Sequence, residues 1–154
     1  IKCFNGERVF VGFVLDTCDR EVIQFVAKKE PILAVDVQSL MVESVEKRFG
    51  KNRPSRTIQF LSDRGAIYRA TETRSIAPTL NLQSCFTMAY SPESNGMAEA
   101  LVKTIKRDYV YANDCVDPEV VLKMIPSWFM DYNENAPHSA LGMMSPMDYK
   151  AKVS

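Results

Sequence analysis

Hydrophobic and polar positions near the start of the chain follow the short, β-rich runs that are typical of strands. RVFVGFVLD, residues 8–16, is dominated by β-branched and aromatic side chains, and EVIQFVA, residues 21–27, repeats that composition after a polar corner. Asn5-Gly6, just ahead of the first run, is a strong hairpin signal because both residues tolerate the positive φ of a tight turn. Residues 1–4 are therefore expected to form an earlier strand that pairs with residues 8–16.

The pattern then changes to helical spacing. In VDVQSLMVESVEKRFG, residues 35–50, apolar side chains recur at intervals of three and four, with Asp36 as the expected N-cap and Gly50 as the expected stop. TIQFLS, residues 57–62, predicts a buried strand. Alternating strands and helices continue to the end of the chain and predict an α/β domain. The remaining elements are a helix near 71–80, a strand near 83–88, a helix from about 94 to 111 and a helix from Asp117 to about Tyr132.

Composition favours one folded domain and leaves carboxylates as the main candidates for chemistry. The chain has 154 residues, of which 46% are hydrophobic, enough for a single core. No apolar run approaches the roughly 20 residues that a membrane-spanning helix needs. The four cysteines form no Cys-x-x-Cys pair, which argues against a zinc ribbon or a redox motif. The single histidine, His138, cannot build a histidine-rich metal site.

Charge is balanced over the whole chain but uneven along it. Nineteen basic and nineteen acidic residues give a formal net charge of zero. The run KRFGKNRPSR, residues 47–56, contains five cations and no acid, and VKTIKR, residues 102–107, contains three more. Such runs are consistent either with an ordinary solvated surface or with contact to nucleic-acid phosphates.

Two carboxylates lie at positions that suit metal chemistry. Asp63 follows a strand and precedes a turn, so it is expected at the carboxyl end of that strand, where α/β sheets hold ligands. Glu99 lies beside the apolar stripe of its helix, one turn before Lys103 and two turns before Lys106. Converging carboxylates suit Mg²⁺, two such ions can promote in-line phosphoryl transfer, and lysines on the same face could hold a phosphate backbone. The alternative is an ordinary surface pair of Glu99 with Lys103.

Four ordered segments resemble the integrase-like catalytic core of bacterial insertion-sequence transposases. Thirty-five residues separate Asp63 from Glu99 (99 − 63 − 1), which resembles the Asp-35-Glu half of the Asp-Asp-Glu signature shared with retroviral integrases. The resemblance implies a ribonuclease H-like fold over residues 1–154, with a mixed sheet of about five strands flanked by helices. The segments are LDTCDRE, LSDRGAIYRATETR, SPESNGMAEALVKTIKRDY and PHSALGMMSPMDY.

The resemblance also implies roles for individual residues. Asp63 and Glu99 would be catalytic ligands of two Mg²⁺ or Mn²⁺ ions, and Lys103 and Lys106 would face DNA. The segment from Ser91 to Gly96 resembles a mobile active-site loop, which places Asn95 among the expected DNA contacts. Arg64 stands where the family usually has asparagine, and it is expected either to grip a phosphate or to repel the cations.

The first aspartate of the family signature is absent from residues 1–4, where the first strand is expected. The first strand is therefore interpreted as truncated, with its aspartate upstream of Ile1. Asp16 is the substitute within the chain, although its surroundings resemble the end of the second strand. If no upstream aspartate exists, the alternative is a catalytically dead core that retains DNA binding or self-association.

The implied function is metal-dependent DNA cleavage and strand transfer by a DDE-type transposase, a polynucleotidyl transferase. Its expected partners are the element ends, the target DNA and further copies of itself, with no membrane. The expected location is the bacterial cytoplasm, in association with the nucleoid during transposition. Residues 1–154 alone are expected to be inactive, because one of the three acidic ligands is missing.

Overall fold

A computed structural model describes residues 1–88 and 95–154, which adopt an α/β fold whose strands lie between residues 10 and 86. The strands and helices follow in an order that matches the sequence pattern closely. The strands are β1 (Phe10–Leu15), β2 (Val22–Lys28), β3 (Ile58–Ser62) and β4 (Leu82–Phe86). The helices are α1 (Ala34–Phe49), α2 (Ala66–Arg69), α3 (Thr71–Thr79), α4 (Gly96–Ile105), α5 (Pro118–Asn135) and α6 (Pro146–Val153).

The first two strands form an antiparallel hairpin, as predicted. Their register runs from Phe10 opposite Lys28 to Leu15 opposite Val22, with an irregularity before Leu15. Residues 1–4 also pair with this hairpin, but through a single bridge between Lys2 and Arg8 rather than as a regular strand. The turn between them contains Gly6 at φ 90°, a conformation that glycine adopts without strain.

The expected sheet of about five strands is not seen in the described residues. Instead, β3 pairs with β4 in parallel, and this pair is separate from the β1–β2 hairpin. The prediction of a buried TIQFLS strand is wrong, since Ile58 and Leu61 are 38% and 50% exposed. The reason is that β3 has a hydrogen-bonded neighbour only on its β4 side, so a strand rich in apolar residues lies at the edge of a two-stranded sheet.

Helix α1 forms as the spacing predicted, although it begins earlier. Leu33, not Asp36, is the N-cap residue. Asp36 lies in the first turn, and its carboxylate accepts a hydrogen bond from the Leu33 backbone N–H at 2.7 Å. Gly50 ends the helix at φ 65°, as expected, and its N–H donates to the Glu46 carbonyl. An acid in the first turn of a helix can accept a hydrogen bond from a free backbone N–H at the helix start, just as an N-cap residue does. The two positions are therefore hard to tell apart in a sequence.

Two apolar clusters hold the helices against the strands. One lies between the hairpin and α5, where the rings of Phe25 and Phe129 are 4.7 Å apart. The other lies between α1, α3 and β4, and it includes the fully buried Met41. Gly12 lies in a tightly packed part of the hairpin, because a Cβ atom there would lie 3.3 Å from the side chain of Val26 and in ordinary contact with Leu40 of α1. Burial of each large apolar side chain contributes about 1.5–3 kcal/mol.

The later helices differ from the sequence prediction at their ends. A helix was expected near residues 71–80, and α3 is preceded by the additional short helix α2. The expected helix to residue 111 becomes α4 followed by a wider π-helical turn over Lys106–Val110. Helix α5 begins after Asp117, whose carboxylate accepts the Val120 N–H at 2.9 Å. Within residues 1–88 and 95–154, no helix is long and apolar enough to cross a membrane.

Candidate active site

Asp63 lies where the sequence placed it, directly after β3 at its carboxyl end, and its side chain is exposed. Its Oδ1 atom accepts the backbone N–H of Gly65 at 2.6 Å, which fixes the carboxylate over the turn that leads into α2. Gly65 is needed for this contact, since a Cβ atom there would lie 2.8 Å from the same oxygen. Burial, and then the negative charge of Asp63, raise the pKa of the neighbouring Tyr68.

Glu99 lies in the first turn of α4 and is also exposed. Its carboxylate is thus near the positive end of the helix dipole. Asn95 is the N-cap residue but makes no side-chain capping bond. Of the expected active-site loop, Ser91 to Ser94 lie outside the described residues. Asp63 and Glu99 are called the site acids below.

Arg64 turns toward β4. Its Nε atom donates to the carbonyl of Thr87 at 3.1 Å, and the Thr87 N–H donates to the carbonyl of Ser62. The side chain therefore bridges the ends of the two parallel strands beside Asp63. This contact orients the guanidinium and leaves part of it able to contact a phosphate.

Lys103 and Lys106 have different surroundings. Lys103 is exposed in the last turn of the helix. Lys106 begins the π-helical turn and lines an apolar cavity of about 240 Å³ together with Ile1. The π-helical turn was not predicted from sequence; such turns are frequent at functional sites but have no distinct residue pattern.

Asp16 has a partner that explains its presence without a metal. Its Oδ2 atom is 2.7 Å from Arg48 of α1, and its Oδ1 atom accepts the Cys18 N–H at 2.7 Å. Burial raises the pKa of Asp16, but the hydrogen bonds from Cys18 and Arg48 outweigh that effect and hold the pKa below its usual value.

Arg48 gathers further carboxylates from the turn between β1 and β2. It also pairs with Asp19 and Glu21, which are almost fully buried, and Glu21 accepts a second ion pair from Lys150 of α6 at 2.7 Å. Sequence analysis missed this cluster because Arg48 lies in a basic run that resembles a surface. The acids Asp16, Asp19 and Glu21 are called the turn acids below.

A second cavity, of about 460 Å³, separates the hairpin from β3. It is bordered by the edge of β1 that does not pair with β2 and by the first residues of α4. Val9 and Ile1 exchange two backbone hydrogen bonds, of 2.8 and 2.7 Å, at one end of that same edge. Because backbone groups alternate in direction along a strand, Val11 and Phe13 direct their N–H and C=O groups toward the same unpaired edge as Val9 does.

The fold is that of integrase catalytic cores. It is similar to a chain of the simian T-cell lymphotropic virus intasome, solved in complex with PP2A regulatory subunit B56 gamma, with a TM-score of 0.68 over 97% of this chain and 50% of that one. It is also similar to the catalytic core domain of BIV integrase, with a TM-score of 0.61 over 99% of this chain and 90% of that one. Sequence identity is 18% in both cases.

Sequence relatives identify the family. Residues 80–146 match the integrase core domain family. The chain is 47% identical over 148 residues to an insertion element IS136 uncharacterized protein of Agrobacterium tumefaciens (strain T37), covering 96% of this chain and 76% of that protein. It is 46% identical over 147 residues to the transposase InsD for insertion element IS2D of Escherichia coli (strain K12), covering 96% of this chain. The chain belongs to the insertion-element transposases that contain an integrase core domain. It spans 49% of the length of the IS2D transposase.

Proposed function

We propose that this chain is the catalytic core of an insertion-element transposase that cleaves DNA strands and transfers them to a target. The observation that carries the proposal is the pair of site acids: both are exposed, one ends β3 and the other begins α4, at the spacing of the family signature. Membership of the transposase family supports the same reaction. Self-association in the active complex and action in the bacterial cytoplasm are part of this proposal.

The donor groups of the site acids fit a divalent cation. Both are carboxylates, the ligands that Mg²⁺ and Mn²⁺ prefer, and each has oxygens that no ion pair within the described residues engages. Asp63 and Glu99 would hold the metal. Two bound ions would lower the pKa of the attacking hydroxyl or water and stabilise the leaving oxygen. The residues of the chain would bind and orient the DNA.

Four further residues would contact that DNA. Lys103 is exposed on the helix that carries Glu99, and Lys106 follows at the start of the π-helical turn. Arg64 is held beside Asp63 by its bond to Thr87, so part of its guanidinium can reach a phosphate. Asn95 begins α4 with its amide free of a capping bond. These positions are consistent with a phosphate backbone that passes across the carboxyl end of β3.

The third acidic ligand would come from a strand upstream of Ile1. The unpaired edge of β1 and the facing edge of β3 leave a cavity between them, which supports a further strand at that place. Ile1 already bonds to Val9 at one end of the β1 edge, so the preceding residues would continue along Val11 and Phe13. Such a strand would complete the expected five-stranded sheet.

The register of that pairing indicates where the ligand would lie. Lys2 pairs with Arg8 and Ile1 pairs with Val9, so each step back from Ile1 moves the pairing one residue forward along β1. If this register continues, the fourth residue before Ile1 would pair with Phe13. Ile1 and Phe13 line the same cavity against α4, and directly opposed residues share a face of the sheet. The side chain at the fourth upstream position would therefore point toward the helix that carries Glu99, and we expect an aspartate there.

The alternative is a catalytically dead core that keeps DNA binding or self-association. Residues 1–88 and 95–154 contain no group of three or more acidic, histidine or cysteine side chains that could hold a metal ion. Both readings expect this, because the third ligand of the enzyme would lie upstream of Ile1. The codons upstream of Ile1 distinguish the two readings directly. An aspartate four residues before Ile1 supports the enzyme, and a stretch without any acid there supports the dead core.

Substitution of Glu99→Gln in the full-length protein tests the proposed function. It keeps the shape of the side chain but removes the charge that would bind the metal. Strand transfer of labelled element ends should fall by about 10³-fold or more, since metal stabilisation of the transition state is worth several kcal/mol. The free energy of unfolding should change by less than about 0.5 kcal/mol, because the side chain is exposed.

Glu72→Gln is the matched control. Glu72 is also an exposed glutamate in the first turn of a helix, in this case α3. It should leave both strand transfer and stability unchanged. If Glu99→Gln transfers strands as well as the control does, Glu99 is not a metal ligand and the catalytic assignment fails.

A further inference from the structure

Three cations on the loop between α1 and β3 are unexplained by the proposed active site. The basic run of residues 47–56 divides into two parts in the structure. Lys47 and Arg48 turn inward, where Lys47 donates to the Ile23 carbonyl at 2.6 Å and Arg48 binds the turn acids. The other three cations lie on the loop of residues 50–57, called the cationic loop, and are exposed. They are Lys51, Arg53 and Arg56.

The backbone of the cationic loop is held in place although its charged side chains are free. Asn81, in the turn before β4, donates from its side chain to the Pro54 carbonyl at 2.8 Å. Its Oδ1 atom accepts the Thr57 hydroxyl at 2.9 Å. Within residues 1–88 and 95–154, no ion pair or side-chain hydrogen bond joins the three cations to another residue. A fixed backbone that presents unpaired cations loses little backbone entropy when it binds a polyanion, so the remaining entropic cost is that of the side chains.

The surroundings of the cationic loop contain few acids. Residues 47–62 and 73–88, which contain the cationic loop and both strands of the β3–β4 pair, contain no aspartate or glutamate. The acid nearest in sequence is Glu46, in the last turn of α1. Three cations and one acid leave a local excess of two positive charges (3 − 1), in a protein whose formal net charge is zero. Local excess of this kind attracts phosphate chains even when the whole protein is neutral.

The cationic loop lies at the opposite end of β3 from Asp63. The strand has five residues, which corresponds to about 17 Å at 3.3 Å per residue. A DNA duplex rises about 3.4 Å per base pair, so a duplex at Asp63 would need only about five base pairs to reach the loop. One DNA molecule can thus contact both places.

We propose that the cationic loop is a second DNA-binding site, which holds the phosphate backbone of double-stranded DNA away from the reacting strand. The inference rests on the proposed function, because it extends the path of the same DNA. Arg53 and Arg56 suit this task, because one guanidinium group can donate to two phosphate oxygens at the same time. The contact is to the backbone and is therefore independent of base sequence.

The test measures the salt dependence of binding to a labelled 30-base-pair duplex by the full-length protein, without divalent metal. The variant combines Lys51→Ala, Arg53→Ala and Arg56→Ala. Each lost phosphate contact should reduce the slope of log affinity against log salt by about 0.9, so the slope should fall by roughly 2–3 units. Affinity near 0.1 M salt should fall by about tenfold or more.

Two further variants make the result decisive. Lys123→Ala with Lys152→Ala removes exposed cations from α5 and α6, and it should change the slope less per removed charge. Exchanging each loop cation for the other type, Lys51→Arg, Arg53→Lys and Arg56→Lys, keeps the charge and should retain most of the binding. Thermal unfolding verifies that all variants are folded.

An unchanged slope in the triple alanine variant, or a loss no greater per charge than in the control, would overturn the proposal. Its failure is separate from failure of the catalytic assignment. Glu99→Gln tests the reaction, whereas this measurement omits metal and needs no catalysis. If Glu99→Gln reduces strand transfer but the triple alanine variant keeps the salt slope of the wild type, the catalytic assignment stands and only the second DNA-binding site is ruled out.

Discussion

The turn acids and the site acids show two opposite uses of carboxylates in one small domain. Asp19 and Glu21 have side chains only 6% and 7% exposed, and both pair with Arg48. The site acids are exposed, and no ion pair among the described residues engages either of them. Buried acids of the first kind are neutralised by a cation of the protein itself. Exposed acids of the second kind remain free to bind a cation from solution.

This difference separates residues that resemble each other in sequence. Asp16 follows a strand just as Asp63 does, and it was considered as a substitute for the missing first aspartate of the family signature. In the structure, Arg48 lies 2.7 Å from Asp16 and supplies the charge that a metal would otherwise supply. An acid with such a partner would have to give up an ion pair before it could bind Mg²⁺. The absence of an ion pair with a cation of the protein is thus a better criterion for a metal ligand than position at the end of a strand.

Substitution of Arg48→Met should have the largest effect on stability. It leaves the three turn acids close together in a buried site, with Lys150 as their remaining cation. Removing one partner from a buried ion pair costs about 3–5 kcal/mol, because the opposite charges stay buried without compensation. Urea unfolding at pH 7 measures the loss.

Arg53→Met is the control for Arg48→Met, because it removes an exposed arginine of the same basic run. It should change the free energy of unfolding by less than about 0.5 kcal/mol. Equal effects of the two substitutions would mean that the turn acids are stabilised by solvent rather than by Arg48, and the contrast with the site acids would disappear.

Substitution of Gly65→Ala should affect the site acids more than it affects stability. The added Cβ atom would lie 2.8 Å from Oδ1 of Asp63, so the carboxylate must move. Gly65 has an ordinary φ of −55°, which alanine adopts without strain. Displacement of a reacting group by about 1 Å can reduce a rate by roughly 100-fold. We expect strand transfer to fall about 10- to 100-fold in a protein that unfolds at nearly the same temperature. Full activity would show that the Gly65 turn does not position Asp63.

Much of the fold could be predicted from local pattern. Apolar spacing and Gly50 identified α1, Asp117 identified the start of α5, and β-branched runs identified the hairpin. These features depend on neighbours within about four residues in the chain. The separation of β3 from the hairpin could not be predicted, because it depends on which strand lies between them. The exposure of Leu61 follows from that separation.

The candidate site was predicted at the level of position but not of contacts. Sequence spacing placed Asp63 at the end of β3 and Glu99 on α4, and the structure confirms both placements. Their role as metal ligands stays a prediction. The pairing of Arg48 with acids about 30 residues away could not be predicted, since a basic run gives no sign of which cation turns inward. The contact of Arg64 with Thr87 depends in the same way on how the β3 and β4 ends meet.

His138 offers the smallest and most specific test of the difference between enclosed and exposed groups. Its ring packs edge-on against Tyr132, with the ring centroids 5.1 Å apart. Its backbone N–H donates to the Met144 carbonyl at 3.1 Å, and within the described residues the buried Nε2 atom has no partner. Burial, and then the positive charge of Arg20, lower the pKa of His138 below 6.5.

A lowered pKa gives the stability contribution of His138 a definite sign. In the unfolded chain the His138 ring takes up a proton near pH 6.5, whereas in the folded chain it stays neutral to a lower pH. The contribution of His138 to stability is therefore fully present above pH 6.5 and is lost as the pH falls from there through the lowered pKa of the folded state. His138→Gln cannot be protonated. It should therefore lower the free energy of unfolding by about 0.5–1.5 kcal/mol at pH 7.5 through lost packing, and by clearly less at pH 5.5. Urea unfolding at the two pH values measures the change. Asp16 does not interfere, because its titration lies below pH 3.8. A stability difference between wild type and variant that is equal at both pH values would show that the His138 ring titrates as an exposed group does.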